Sequence, residues 1–314
     1  MLKKHRDKNK VTIFGAGFVG STIAFSLLHR NVAEEIVLVD LNKDLAKTQV
    51  MDLQHALPVL GYSDIKTGSI KDVKDSTVVV IACGSAQKKG ESRLSLLQKN
   101  ACIIKELVPQ IFKTNPNVIL LIVTNPVDLL TKIAIDVAPK KSKQIIGSGT
   151  LLDSLRLRFL VGKQLGVNPQ SVHVNIAGEH GDSSLPLWST ATVGGEKIAN
   201  LKKFKKSVFN KLFLTARNMA YTIIAGKQAT YYGIGAGAAY LIDAIIMNKK
   251  TVLPVSHLLT GEYGLKDVCL SLPVVIGETG ILETINLDID KLEKKQLTAS
   301  AIKLQAEAGK LAKK

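Results

Sequence analysis

Val11-Thr12-Ile13-Phe14-Gly15-Ala16-Gly17-Phe18-Val19-Gly20, followed by Glu35-Ile36-Val37-Leu38-Val39-Asp40, decides the fold. Val11 to Phe14 is a short β-rich run. A helical pattern follows through Ile23, Ala24, Leu27 and Leu28, and the next apolar run ends in an acid. A strand, a GxGxxG turn, a helix, and an acid about 20 residues on at the end of a second strand together specify a dinucleotide-binding unit. Gly15 permits the tight turn, Gly17 lets backbone approach a pyrophosphate, and Gly20 lets the helix pack on the strand. The helix N-terminus at Phe18 and Val19 receives the phosphates. Asp40 accepts from both ribose hydroxyls and repels a 2′-phosphate, which favours NAD over NADP. A merely structural glycine turn leaves that terminal acid unexplained.

The same rhythm continues outward. Strand patterns at 64–67, 77–82 and 118–123 alternate with helical patterns at 43–56 and 94–112. Such alternation predicts an α/β protein with a parallel, doubly wound sheet of the Rossmann type. Ligand loops then lie at strand C-termini, which selects Cys83-Gly84-Ser85, Thr124-Asn125-Pro126 and Gly147-Ser148-Gly149. Past residue 150 the alternation ends. Strands are predicted at 172–177, 187–193, 252–257 and 268–276, and helices at 201–225, 230–247 and 296–311. The expected organisation is a dinucleotide-binding domain over residues 1–147, with a basic tail at 1–10, and an α+β substrate domain over 148–314.

Composition narrows the function classes. At 314 residues and 46% hydrophobic content the chain can build substantial cores, which excludes a disordered protein. No apolar run is long enough to span a membrane, and the Gly-broken start is no signal peptide. Cys83, Cys102 and Cys269 are an odd set in apolar settings, read as reduced, buried thiols of a cytoplasmic protein. No cluster has metal-ligand spacing, so no metal is expected. The 42 basic against 26 acidic residues give a net charge of +16. The excess is scattered in lysine pairs such as Lys140-Lys141 and Lys294-Lys295, without aromatic interleaving. That pattern reads as solvated faces rather than a nucleic-acid surface. Lysine supplies nearly all the positive charge, so arginine at 93, 156 and 158 marks positions that need a planar fork.

The chemistry is concentrated in Gly147-Ser148-Gly149-Thr150-Leu151-Leu152-Asp153-Ser154-Leu155-Arg156 and Gly178-Glu179-His180-Gly181-Asp182. Asp153 and Arg156 share a helix face. His180 follows an apolar run and sits in a Gly-flanked turn. A histidine titrates near neutrality, an aspartate orients and charges it, and an arginine holds a carboxylate bidentately. A helix-face ion pair beside a turn histidine is the competing structural reading. The Gly-bounded stretch 84–93 reads as a hinged loop that carries Gln87 and Arg93.

With these motifs in place, the sequence resembles the L-lactate dehydrogenases of the lactate/malate dehydrogenase family over nearly its whole length. The matching segments are GAGFVG with LVD, GSAQKKGESRLSLLQKN, VTNPVD, GSGTLLDSLRLRF, NIAGEHGDS and GKQATYYGI. The resemblance implies that His180 exchanges the proton with the substrate oxygen, that Asp153 supports it, and that Arg156 clamps the substrate carboxylate. It implies that Arg93 polarises the ketone after loop closure, and that Gln87 sits beside the third substrate carbon. Asn125 would bond near the reacting oxygen and line the cofactor with Gly84. Thr230 would line the pocket, and Ile234 would pack near the nicotinamide. A homotetramer acting on pyruvate and L-lactate is implied. Arg158 and His173 match positions that bind fructose 1,6-bisphosphate in activated bacterial relatives. Ala86 stands where such enzymes often carry arginine or another larger residue, which bears on substrate breadth. The alternatives are a related L-2-hydroxyacid dehydrogenase for malate or a branched acid, and a non-catalytic NAD- or nucleic-acid-binding protein. A second substrate carboxylate would need a cation, and Gln87 is neutral.

Overall fold

The computed structural model describes residues 9–85 and 93–312. Its first half runs β1 (Lys10–Phe14), α1 (Phe18–Arg30), β2 (Glu35–Val39), α2 (Lys43–Leu60), β3 (Asp64–Thr67), β4 (Val78–Ile81), α3 (Arg93–Thr114), β5 (Ile119–Ile122), α4 (Val127–Val137) and β6 (Ile145–Gly147). These six strands pair in parallel in the order β3-β2-β1-β4-β5-β6. Parallel strands covered on both faces are continuous apolar runs, as in the fully buried VVVI of β4 and ILLI of β5. Successive side chains point to opposite faces. Val78 and Val80 therefore join a core with α1 and α2, while Val79 and Ile81 join one with α3 and α4.

The second half runs α5 (Leu151–Leu165), β7 (Val172–His173), β8 (Ile176–Ala177), β9 (Leu185–Pro186), β10 (Thr192–Val193), β11 (Glu196–Lys197), α6 (Lys206–Lys227), α7 (Tyr232–Ile246), β12 (Thr251–Thr260), β13 (Lys266–Gly277), β14 (Gly280–Thr284) and α8 (Lys291–Ala312). It does not build a separate sheet for its long strands. β12 pairs antiparallel with β6 through Ser256 and Gly147, and β13 and β14 extend the sheet to nine strands. α7 packs into the core with α1, and α8 into the core with α3 and α4. A third core holds α5 and α6 together through Leu157, Val161, Phe209 and Phe213.

Two expected strands are corrected. The run 172–177 is not one strand. Arg158 Nε donates to the Val174 carbonyl at 3.1 Å, and Ile176 N–H donates to Ser154 Oγ at 2.9 Å. Side chains of α5 thus take backbone groups that a ladder would use, leaving β7 and β8 in different sheets. The run 187–193 contains a 3₁₀ turn at Trp188–Thr190. There the Ser189 N–H and hydroxyl both bond the Glu293 carboxylate of α8. The three cysteines are free, but only Cys269 is buried. Cys83 is half-buried and Cys102 is exposed. Among the described residues, no helix is long and apolar enough to cross a membrane, and no group of metal-ligating side chains occurs.

Candidate active site

The cofactor half forms around three glycines whose surroundings differ. Gly15 has φ +108°, and a Cβ there would stand 2.6 Å from Cys83 N. A Cβ on Gly20 would stand 1.8 Å from the Gly15 carbonyl oxygen. Both positions exclude a side chain. At Gly17 a Cβ would meet nothing within 4 Å, so this backbone faces open space. Gly17 caps α1 without a side-chain hydrogen bond, and the first turn of α1 carries no acid. Its free amides and positive helix end suit a pyrophosphate. At the end of β2, Asp40 Oδ2 accepts from Ala16 N–H at 2.7 Å and Oδ1 from Asn42 N–H at 2.8 Å. The carboxylate therefore ties down the glycine loop and keeps further lone pairs for ribose hydroxyls. This set fits NAD.

Asp40→Ser is expected to raise the kcat/KM ratio of NADPH to NADH by about tenfold or more, because the charge that opposes a 2′-phosphate is gone. NADH use should fall as well, since Ala16 loses a charged acceptor. An unchanged ratio would mean that another group enforces the choice.

The loops after β4 and β5 are clamped together by Asn100, a buried side chain of α3. It accepts from Ser85 N–H at 2.8 Å and donates to the Asn125 carbonyl at 2.9 Å. Thr124 Oγ1 donates to the Cys83 carbonyl at 2.7 Å. Gly84 fits between them, since a Cβ would stand 2.6 Å from Thr124 Cγ2. The sequence reading missed Asn100, although a polar residue in the apolar stripe of a helix was there to be noticed. Asn125 itself is exposed at the loop. Thr230 and Ile234 are half-buried at the start of α7. That turn is wedged between the two halves of the site. Tyr231 stacks on Phe18 at 5.2 Å, and a Cβ on Gly233 would meet Leu152 of α5 at 2.8 Å. Gln87 lies outside the described residues. Arg93 opens α3, and its side chain lies outside them too.

The catalytic half converges on Asp153, buried in the first turn of α5. Its Oδ2 lies 2.6 Å from His180 Nδ1, and its Oδ1 accepts from Arg156 Nη1 at 3.0 Å. The turn that carries His180 is held on several sides. Gly178, at φ +86°, bridges to Ser271 of β13. Glu179 N–H donates to Ser300 Oγ of α8 at 2.9 Å, and the Glu179 carboxylate pairs with Lys303 at 2.7 Å. His180 N–H donates to Asp128 Oδ2 of α4 at 2.7 Å. Sequence reading missed Asp128, the last letter of the VTNPVD motif, because only Asn125 of that motif was given a task.

Burial alone would lower the His180 pKa. The charge and hydrogen bond of Asp153, followed by the charge of Asp128, exceed that effect and raise it to about 9. Burial would raise the Asp153 carboxyl, but the charges and hydrogen bonds of His180 and Arg156 hold it below its ordinary value. The pair is an imidazolium and a carboxylate at neutral pH. With Nδ1 engaged, Nε2 carries the deliverable proton. The ring stays accessible from one side, with 24% of its side-chain surface open. Arg156 uses one edge of its fork on Asp153, which leaves donors for a ligand carboxylate.

Arg158 faces away from this constellation. Besides the Val174 carbonyl, it donates to Asn175 Oδ1 at 3.0 Å. His173, the residue before Val174, is exposed.

Residues 9–147 match the family described as lactate/malate dehydrogenase, NAD binding domain, and residues 150–314 match its alpha/beta C-terminal domain. The chain is 39% identical over 301 residues to L-lactate dehydrogenase 1 of Clostridium acetobutylicum, covering 94% of this chain and 96% of that one. It is 43% identical over 306 residues to L-lactate dehydrogenase 2 of Peribacillus psychrosaccharolyticus, with 96% of each chain covered. Among solved structures, a lactate dehydrogenase from a Medee basin deep-sea metagenome library superposes with a TM-score of 0.93 at 38% identity, covering 98% of this chain and 100% of the other. The minor L-lactate dehydrogenase of Enterococcus mundtii, in a ligand-bound form, gives 0.94 at 35% identity, covering 96% and 98%.

Proposed function

The chain belongs to the lactate/malate dehydrogenase family and is an NAD-dependent oxidoreductase; from that premise we propose that it interconverts pyruvate and L-lactate. The observation that carries this reading is the hydrogen-bonded line Arg156–Asp153–His180. Arg156 holds the substrate carboxylate with its free donors. His180 gives its Nε2 proton to the ketone oxygen in reduction and takes it back in oxidation. Asp153 stabilises the charged ring throughout. Arg93, the first residue of α3, meets the negative charge that develops on the oxygen. The bound nicotinamide supplies or accepts the hydride. Gln87, which the family resemblance assigns to the substrate's third carbon, is neutral, and that favours pyruvate over a dicarboxylic oxo acid. A cytoplasmic homotetramer is part of the proposal, carried over from the family resemblance.

The test is a panel of 2-oxo acids with NADH, followed by absorbance across pH. Pyruvate is expected to give the highest kcat/KM. For pyruvate the value should be flat near neutrality and fall as pH rises through about 9, where His180 loses its proton. Faster reduction of oxaloacetate would replace this reading with the malate one.

A regulatory reading rests on Arg158 and His173. The Arg158 guanidinium lies on the Val174 carbonyl, and the exposed His173 precedes Val174 in the chain. A guanidinium fork and an imidazole together offer the donors that a phosphate group takes. Two subunits would present two such pairs to fructose 1,6-bisphosphate. The expected result is a lower apparent KM for pyruvate or a more stable tetramer. Arg158→Gln and His173→Gln should each weaken the effect. Kinetics and sedimentation unchanged by millimolar bisphosphate in the wild type would refute it.

A further inference from the structure

Asp128 is 2% exposed and sits in the first turn of α4. Its Oδ2 accepts the main-chain N–H of His180 at 2.7 Å. Its Oδ1 is buried and faces the equally buried Ser256 hydroxyl on β12, although the two make no well-formed hydrogen bond. A carboxylate placed so costs stability unless its charge or its geometry is used. Fold alone does not demand it. An amide or hydroxyl would satisfy the same N–H without burying a charge. The N-terminal turn of a helix favours a negative group at this place, so α4 and the His180 turn together hold a carboxylate behind the reactive ring.

We propose that Asp128 is a positioning residue that acts through His180. Its carboxylate fixes the turn through the main-chain N–H, and its charge helps to keep the imidazole protonated. His180 thus works between two carboxylates, Asp153 on the ring and Asp128 on the backbone. This rests on the reading of His180 as the proton donor.

Among the described residues, the charged and titratable groups around the pair are few. On α5, Asp153 supports the charged ring and Arg156 opposes it. On the turn itself, Glu179 is paired with Lys303 of α8. On β13, the buried Cys269 thiol is pushed well above its ordinary value, by burial first and then by Asp128. On α6, Arg217 and Tyr221 are bound to Asp182 and not to His180. Burial raises the Asp128 carboxyl to about 6, against the Ser256 hydroxyl and the His180 N–H and charge, which favour its ionised form. Asp128 is therefore mostly charged at neutral pH, where the ring needs it.

The experiment is a pH titration of the full chain labelled with ¹³C at histidine Cε1, read by NMR. The His180 resonance is assigned by its absence in His180→Asn. Asp128→Asn keeps an oxygen to accept the N–H and removes only the charge. The His180 midpoint is expected to fall by about one pH unit. The alkaline limb of kcat/KM for pyruvate should move the same way, with NADH binding unchanged. Should Asp128→Asn not fold, Asp128→Ser makes the same charge change with a hydroxyl acceptor, and the same shift is expected. An unmoved midpoint overturns the proposal, even if activity drops, because a purely structural carboxylate would leave the ring's titration alone. The midpoint needs no turnover. A normal shift in a protein inactive on every 2-oxo acid counts against the proposed reaction and not against Asp128.

Discussion

Replacing His180 with asparagine is expected to lower kcat for pyruvate reduction by at least about a thousandfold, toward the upper part of what general acid catalysis contributes. NADH binding should be unchanged. Asparagine is close to histidine in reach but has no proton to give at neutral pH. The described contacts of His180 run to α4 and α5 through Asp128 and Asp153. None runs to the glycine loop, which is fixed by Asp40, Val39 and the end of β4. Steady-state absorbance gives the first quantity and quenching of protein or nucleotide fluorescence gives the second. Turnover near that of the wild type would remove His180 from the mechanism.

Asp153→Asn should lower kcat/KM for pyruvate by about 10²- to 10⁴-fold, the range seen when the orienting acid of a histidine is neutralised. Two losses add. His180 forfeits the largest influence that raises its pKa, so the alkaline limb moves to lower pH. Arg156 forfeits the partner that fixes its fork. Stability should fall too, by up to about 3 kcal/mol, the lower end for breaking a buried pair because the histidine is partly open to solvent. The sign with pH follows from the shifts. His180 is raised from 6.5, so its contribution is complete below 6.5 and lost as pH rises through about 9. Asp153 is lowered from 3.8, so its contribution is present above 3.8 and lost on further acidification. The stability gap between wild type and variant should be widest between pH 3.8 and 6.5, and should close toward alkaline pH. Denaturant titrations across that range check it, and a gap that widens with alkaline pH would refute the charged pair.

Much of this molecule was legible because local pattern and tertiary demand coincide. Strands buried on both faces must be apolar throughout, so β4 and β5 were visible as VVVI and ILLI. The glycine loop was legible because Gly15 and Gly20 have no room for a side chain. Asp153 and Arg156 were legible because helix spacing sets them on one face, and their pairing with His180 follows from the family resemblance. Illegibility had equally local causes. The break between β7 and β8 depends on Arg158 and Ser154 reaching across from α5, contacts that no period within 172–177 encodes. The 3₁₀ turn at Trp188 depends on Glu293, far downstream in α8. α4 begins directly after a loop motif and has a pattern short enough to pass as part of it. Asn100 and Asp128 act through main-chain groups, and a sequence shows side chains more readily than the amides they serve.

The pairing of Ser256 with Gly147 has a consequence for biosynthesis. β6 leaves the ribosome long before β12. Until residues 251–260 arrive, β6 forms the bare rim of the parallel sheet. The interior Ile145 and Ile146 then lack their final cover, and one row of amides and carbonyls is unpaired. Such a rim templates association with other chains, and distant strand pairings form late because closing the intervening loop must come first. The nascent enzyme thus passes through an adhesive stage whose duration is set by translation speed. A fragment ending at Gly147 should stay in that stage and aggregate, although it contains every residue of the glycine loop.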